Sequence, residues 1–245
     1  MLATALLVLV ASEIAVRYGF LQPKQERIEG APSVIEAAVF SLLALLLAFS
    51  YSLAVGRYDT RRAVFIDETN AIGTTYLRAA LLDPAATLQM RNDLRKYVGE
   101  RLDFIRTEDE APEQADLADD SAKLQNTMWA LAMREATRDP RSTTIPLFVS
   151  SLNDTIDLST KERAVLSAHI PDIVMVLLML LIVATSGMLG AMFARIRQHA
   201  VAPRVVYALA LAIAIGLVFD LDRPQRGLIR VNLQAMQTLQ QSMQR

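Results

Sequence analysis

The chain has 245 residues, of which 53% are hydrophobic, yet it also carries 25 basic and 26 acidic residues. That is too apolar for an average soluble domain, and the charges must be segregated from the apolar runs. A formal net charge of −1 with no basic and aromatic interleaving excludes a nucleic-acid groove, and the absence of cysteine excludes disulfides, thiolate metal sites and a Cys nucleophile.

Four apolar segments in two pairs match the roughly 20 residues that a helix needs to cross a bilayer. The first, residues 1–16, lacks the basic start and small-residue cleavage site of a signal peptide and is read as a retained helix. The second runs over 33–56 after Pro32, with Ser33 as its N-cap. The third covers 171–194 and the fourth 201–219, joined by a link short enough for an antiparallel hairpin.

Between the pairs, apolar residues recur with helical spacing. Leu94, Val98, Leu102 and Ile105 form one stripe, on a helix capped by Asp83 with Pro84 at its first position. Leu117, Leu124, Met128 and Leu131 form another. The acidic stretch 107–116 between them reads as a solvated loop, and "STKE" at 159–162 has the form of a capping box that opens a further helix. Leu233, Met236, Leu239 and Met243 follow helical spacing beside a Gln-rich face, a tail suited to a protein groove rather than an anionic lipid surface.

The predicted fold class is therefore all-α: a polytopic membrane protein with four transmembrane helices in two hairpins and a helical extramembrane region between them. The segments are a first hairpin over 1–56, the helical region over 57–169, a second hairpin over 170–220, and an exit turn with an amphipathic tail over 221–245. Both membrane faces are basic. Arg57, Arg61, Arg62, Arg223, Arg226 and Arg230 lie on one, and Arg17, Lys24, Arg27, Arg195, Arg197 and Arg204 on the other. Lys161 and Arg163 tip the balance towards a cytoplasmic helical region, whereas the acid-free link before the fourth span argues the opposite.

Three polar groupings sit at membrane boundaries. The first, around Glu68, Asn70 and Arg78, lies on a polar extension of the second span. The second, with Asn153, Asp154, Asp157 and Arg163, offers oxygen ligands without the glycine and terminal glutamate of an EF-hand loop. The third, Asp220, Asp222 and Arg223 followed by Pro224 and Gly227, is an exit turn. Asp222 is expected to pair with Arg163 or Arg78, and Arg223 with Asp157 or Glu68. Glu13, a carboxylate inside the first span, lies a turn from Arg17. In the third span Ser186, Gly190 and Ala194 form a small-residue row that permits close helix approach. No triad, phosphate loop or zinc motif occurs; no enzyme, metal site or cofactor is expected.

The stretches "RYDTRRAVFIDETNAIGTTYLRAALL", "LNDTIDLSTKERAVLSAHIP" and "LDRPQRGLIRV", in this order around two membrane hairpins, resemble the bacterial bestrophin-like membrane proteins, a family of unassigned activity distantly similar to the bestrophins. Bestrophins are pentameric anion channels with four membrane helices per subunit and a helical cytosolic part. The resemblance spans nearly the whole chain and implies that the three polar groupings are shared family positions, meeting near one membrane face. This sequence departs from bestrophins in having no acidic calcium clasp and no aromatic pore neck.

Two functions follow as expectations. One is a homo-oligomeric ion channel, pentameric by resemblance, in which the second span lines the conduit: Ser41, Ser50 and Ser52 offer polar groups inside it, and Arg57, Arg61 and Arg62 concentrate inorganic anions at its mouth. The other is a membrane-anchored interaction or regulatory protein without transport activity, its unidentified protein partner docking on the helical region and the Gln-rich tail.

Overall fold

The structure, a computed structural model, describes residues 2–21, 31–107, 112–196, 201–223, 229 and 231–244. Helices dominate these residues and no strand occurs among them. In chain order they are α1 (Leu2–Leu21), α2 (Ala31–Arg78), α3 (Pro84–Arg106), α4 (Pro112–Arg138), α5 (Ile145–Leu166), α6 (Asp172–Arg195), α7 (Val201–Asp222) and α8 (Gln234–Met243), with a 3₁₀ turn at Ala79–Leu81. Two compact units emerge, one of residues 1–56 with 169–222 and one of 57–168 with 223–245.

Four helices are long and apolar enough to cross a membrane: α1, α2, α6 and α7. In each, fewer than a third of the residues in the most apolar window are buried within the chain. Leu6, Ile14, Phe49, Leu180, Val206 and Ile213 are all more than half exposed, an arrangement costly in water and costless in hydrocarbon. At 48 residues, α2 extends about 72 Å, more than twice the roughly 30 Å of a hydrocarbon core. Only its first half is apolar; its second half belongs to the other unit.

In the first unit, Val8, Leu43, Leu178, Ile182, Ala208 and Ile215 form a core drawn from all four spans. The tightest packing is between α1 and α6. There the predicted row Ser186, Gly190 and Ala194 is buried against Thr4, Val8, Ser12 and Val16 of α1. A Cβ on Gly190 would collide with the Ser12 carbonyl oxygen and lie 2.9 Å from Ala15 Cβ, so only glycine lets the two backbones approach this far.

The second unit is a helical bundle whose buried positions recur every three and four residues. On α2 the row is Arg61, Phe65, Glu68, Ile72, Thr75; on α3 it is Met90, Leu94, Tyr97, Arg101, Phe104; on α5 it is Phe148, Leu152, Thr155, Ser159, Glu162, Leu166. The cap on α3 is as expected, with Ala85 N–H donating to the Asp83 carboxylate at 3.3 Å and Pro84 at the first position. Three local expectations are corrected. Ser33 lies within the first turn of α2, which starts at Ala31. Pro112 to Asp116, assigned to an acidic loop, open α4, while residues 108–111 lie outside the described residues. Ser159 to Glu162 lie inside α5, because both side chains have interior partners and no helix start is needed there.

The tail takes a protein groove, as expected of it. Its groove is supplied by the same chain: α8 packs on α3, burying Met236 and Met243, and Leu239 reaches to 3.3 Å from where a Cβ on Gly73 would stand. Arg95 Nε donates to Met243 O at 2.6 Å, and Tyr76 Oη donates to the same carbonyl at 3.1 Å. Those bonds satisfy a carbonyl at the end of α8, where intrahelical donors run out.

Candidate functional site

The three-and-four residue rows place polar side chains where leucines would ordinarily sit. Glu68, Arg101 and Glu162 are each at most 3% exposed. Arg101 Nε donates to Glu68 Oε1 at 2.7 Å and Nη2 to Glu68 Oε2 at 3.3 Å, and Nη2 also pairs with Glu162 Oε2. Two carboxylates from α2 and α5 therefore converge on one guanidinium from α3. The fork geometry makes each contact directional, and burial makes loss of any one partner costly. The guanidinium also lies 4.9 Å from the Phe104 ring centroid, a cation–π contact.

Tyr97, Gln125 and Ser159 extend this layer to α4. Gln125 Nε2 donates to Tyr97 Oη at 3.0 Å and to Ser159 Oγ at 2.7 Å. Burial, and next the negative charge of Glu68, push the Tyr97 phenol up to about 12. A second polar layer lies about two turns along α2, where Thr75 Oγ1 donates to Ser151 O at 2.8 Å and stands 2.9 Å from Thr155 Oγ1. At the periphery, burial raises the Asp93 carboxyl, and burial together with the nearby Asp120 carboxylate raises that of Glu100.

The remaining sequence-predicted residues separate by environment. Arg61, 1% exposed, donates from Nη2 to Ala168 O at 2.7 Å and from Nε to Val165 O at 3.3 Å, capping the C-terminal carbonyls of α5. Ser50, also 1% exposed, donates to Leu46 O of its own helix. Ser41, Ser52 and Arg62 are exposed and Arg57 is half-buried. Asn70, Asp154 and Arg223 are exposed, Arg163 and Asp220 half-buried. The two carboxylates expected to face Arg223 are engaged elsewhere: Glu68 by Arg101, and Asp157 by Asn153, which donates to it at 2.8 Å on the exposed face of α5. Arg78 donates to Leu147 O at 3.0 Å. Pro224 and Gly227 lie outside the described residues.

Asp222 takes partners other than the expected arginines. Its Oδ1 accepts the Ile170 N–H at 2.9 Å, and its Oδ2 stands 3.6 Å from His169 Nδ1. α7 extends through Asp222, three residues past the expected end of the fourth span at Phe219. The carboxylate is thus carried on helix, rather than on a turn, to the segment that precedes α6. Glu13 is held twice, by Arg17 Nε at 2.9 Å and by Arg204 Nη1 at 2.8 Å, and Glu36 pairs with Arg195 at 2.7 Å.

The sequence signal for Arg101 and Glu162 lies in register rather than in any motif, and the polar groupings above pass over it. Arg101 falls three residues after Val98 and beside Leu102, both on the apolar stripe of α3. Glu162 falls on the 4-3-4-3-4 row that runs from Phe148 to Leu166 on α5. A charged residue in step with a buried row is held inside only if an opposite charge meets it there.

Four membrane-length helices and a helical bundle with a charged core define an all-α polytopic membrane protein. The chain belongs to the Bestrophin-like family, since the family profile described as the Bestrophin-like domain matches residues 4–236. No curated protein matches it. Among solved structures, a variant of a bacterial bestrophin homologue from Klebsiella pneumoniae aligns with a TM-score of 0.73 at 16% identity, over 99% of this chain and 97% of that one. A protein described only as a membrane protein, also a variant, aligns with a TM-score of 0.74 at 13% identity over 99% and 97%. A further Klebsiella pneumoniae bestrophin homologue, phased on zinc, aligns at 0.70 and 13% identity over 99% and 96%. At such identities the likeness shows the shared fold.

Proposed function

We propose that the chain is the subunit of a homo-oligomeric ion channel, pentameric by its family resemblance, in which α2 lines the conduit. The observation that carries this reading is one uncovered face along α2. Leu42, Leu45, Phe49, Ser52, Gly56, Asp59, Ala63, Ile66, Asn70, Thr74 and Leu77 are all exposed, at steps of three and four residues. A stripe of that period on so long a helix suits packing around a common axis. Ser41 and Ser52 supply polar groups in the apolar half, and Arg57 and Arg62 supply positive charge where it ends, which favours anions. The channel sits in a bacterial inner membrane with the helical region cytoplasmic.

Oligomer mass in detergent and currents from reconstituted protein test the reading together. A defined oligomer that conducts, with Phe49→Ala altering conductance, supports it; a defined oligomer silent to anions and cations alike overturns it. The alternative, a membrane-anchored interaction protein, draws on Leu88 and Leu147, which are 64% and 51% exposed outside the spans. A monomer or dimer without currents favours that alternative.

A further inference from the structure

α2 is one continuous helix of 48 residues, and Ser52, Gly56, Asp59, Ala63, Ile66 and Asn70 are exposed along one line of it. Asp59 is the charged member of that line. At about 100° of turn per residue it lies within about 20° of the centre of the line, with Arg62 about 80° and Arg57 about 140° away from that centre. Arg57 is half-buried, and Arg61 turns inward to the carbonyl groups of Val165 and Ala168. The positive charges of this helix segment therefore flank the line or leave it, while a carboxylate stands on it.

No hydrogen bond or ion pair within the described residues engages the Asp59 carboxylate, in contrast to Glu68 on the same helix, whose two oxygens Arg101 holds. A subunit repeated around a common axis sets its Asp59 at the same height in every copy, so one carboxylate becomes a ring. Rings of carboxylates draw cations and repel anions, and rings of arginine do the reverse. Salt screens such charges over about 8 Å at physiological ionic strength, so a side chain on the line acts more strongly on a passing ion than one set back on the flank.

We propose that Asp59 is the specificity-determining residue of the conduit: its carboxylate holds down the preference for inorganic anions that Arg57 and Arg62 create, and admits monovalent inorganic cations as well. This inference rests on the reading of α2 as the lining helix. The arginines enrich anions around the mouth, and Asp59 acts on each ion as it passes. Asp67, also exposed, lies about 60° off the same line and contributes less.

The test reconstitutes the full chain in uncharged phosphatidylcholine bilayers and reads the chloride-to-potassium permeability ratio from the reversal potential under a potassium chloride gradient. Asp59→Asn is expected to raise that ratio by at least about threefold, and Asp59→Glu to keep it near the parent value. Asp116→Asn, at an exposed position on α4, is expected to leave it unchanged. The comparison isolates one charge, because every other charge at the mouth enters both arms alike. A conducting parent whose ratio is the same in Asp59→Asn overturns this inference and leaves the channel reading standing, as does an Asp59→Asn protein of parental oligomer mass that no longer conducts. A parent silent to both ions removes the channel reading and this inference with it.

Discussion

Arg101 grips both oxygens of Glu68, Nε to Oε1 at 2.7 Å and Nη2 to Oε2 at 3.3 Å, and neither side chain is more than 1% exposed. Glu162 closes on the same guanidinium from α5. Removing the arginine leaves two carboxylates in a core without their shared cation. Arg101→Met is therefore expected to destabilise the chain by about 3–5 kcal/mol, measured by denaturant unfolding. Arg106→Ala, which breaks an exposed pair with Asp103, should change stability by no more than about 0.5 kcal/mol. Equal effects would remove the case for a buried polar core.

Tyr97 sets an alkaline limit. Its phenol is held up to about 12 from an ordinary 10.0, chiefly by burial, so the folded chain keeps a proton that the unfolded chain releases. Stability from this group is fully present below the unfolded value and falls as pH rises from 10 towards 12, by about 2–3 kcal/mol. Tyr97→Phe should flatten that slope relative to the parent chain. An unchanged slope in unfolding measurements across this window would exclude Tyr97 as its source.

Gly190 and Gly187 make a paired test on one helix. A Cβ at Gly190 meets the Ser12 carbonyl, which is backbone and cannot turn aside, whereas a Cβ at Gly187 meets nothing within 4 Å. Gly190→Ala should lower Tm and force α1 and α6 apart. Gly187→Ala should leave Tm unchanged or raise it slightly, since alanine stiffens the helix. Thermal unfolding of both variants in detergent reads the contrast.

Asp222 is expected to matter more than its exposed counterpart Asp116. Asp222→Ala leaves the buried Ile170 N–H without its acceptor, a loss of about 1–3 kcal/mol. Asp116 stands exposed on α4, and Asp116→Ala should stay within about 0.5 kcal/mol. Comparable, negligible changes in unfolding free energy would show that the Asp222 contact contributes nothing.

Features that are local, or imposed by the solvent, are readable from the order of residues alone. The four spans are legible because hydrocarbon demands about 20 apolar residues with internally satisfied backbones, whichever helix lies alongside. The Asp83–Pro84 start is legible because a cap and a fixed φ act within three residues. Packing settles the rest. Ser159 and Glu162 fit a capping box as text, yet their partners are Gln125 and Arg101, on other helices. Arg61 reads as a mouth charge, yet the end of α5 takes its guanidinium. Asp222 finds a backbone N–H 52 residues away rather than an arginine, and the tail finds its groove in its own chain. A buried charge can be placed only with its partner, and that partner is chosen by how helices pack, which no local spacing records.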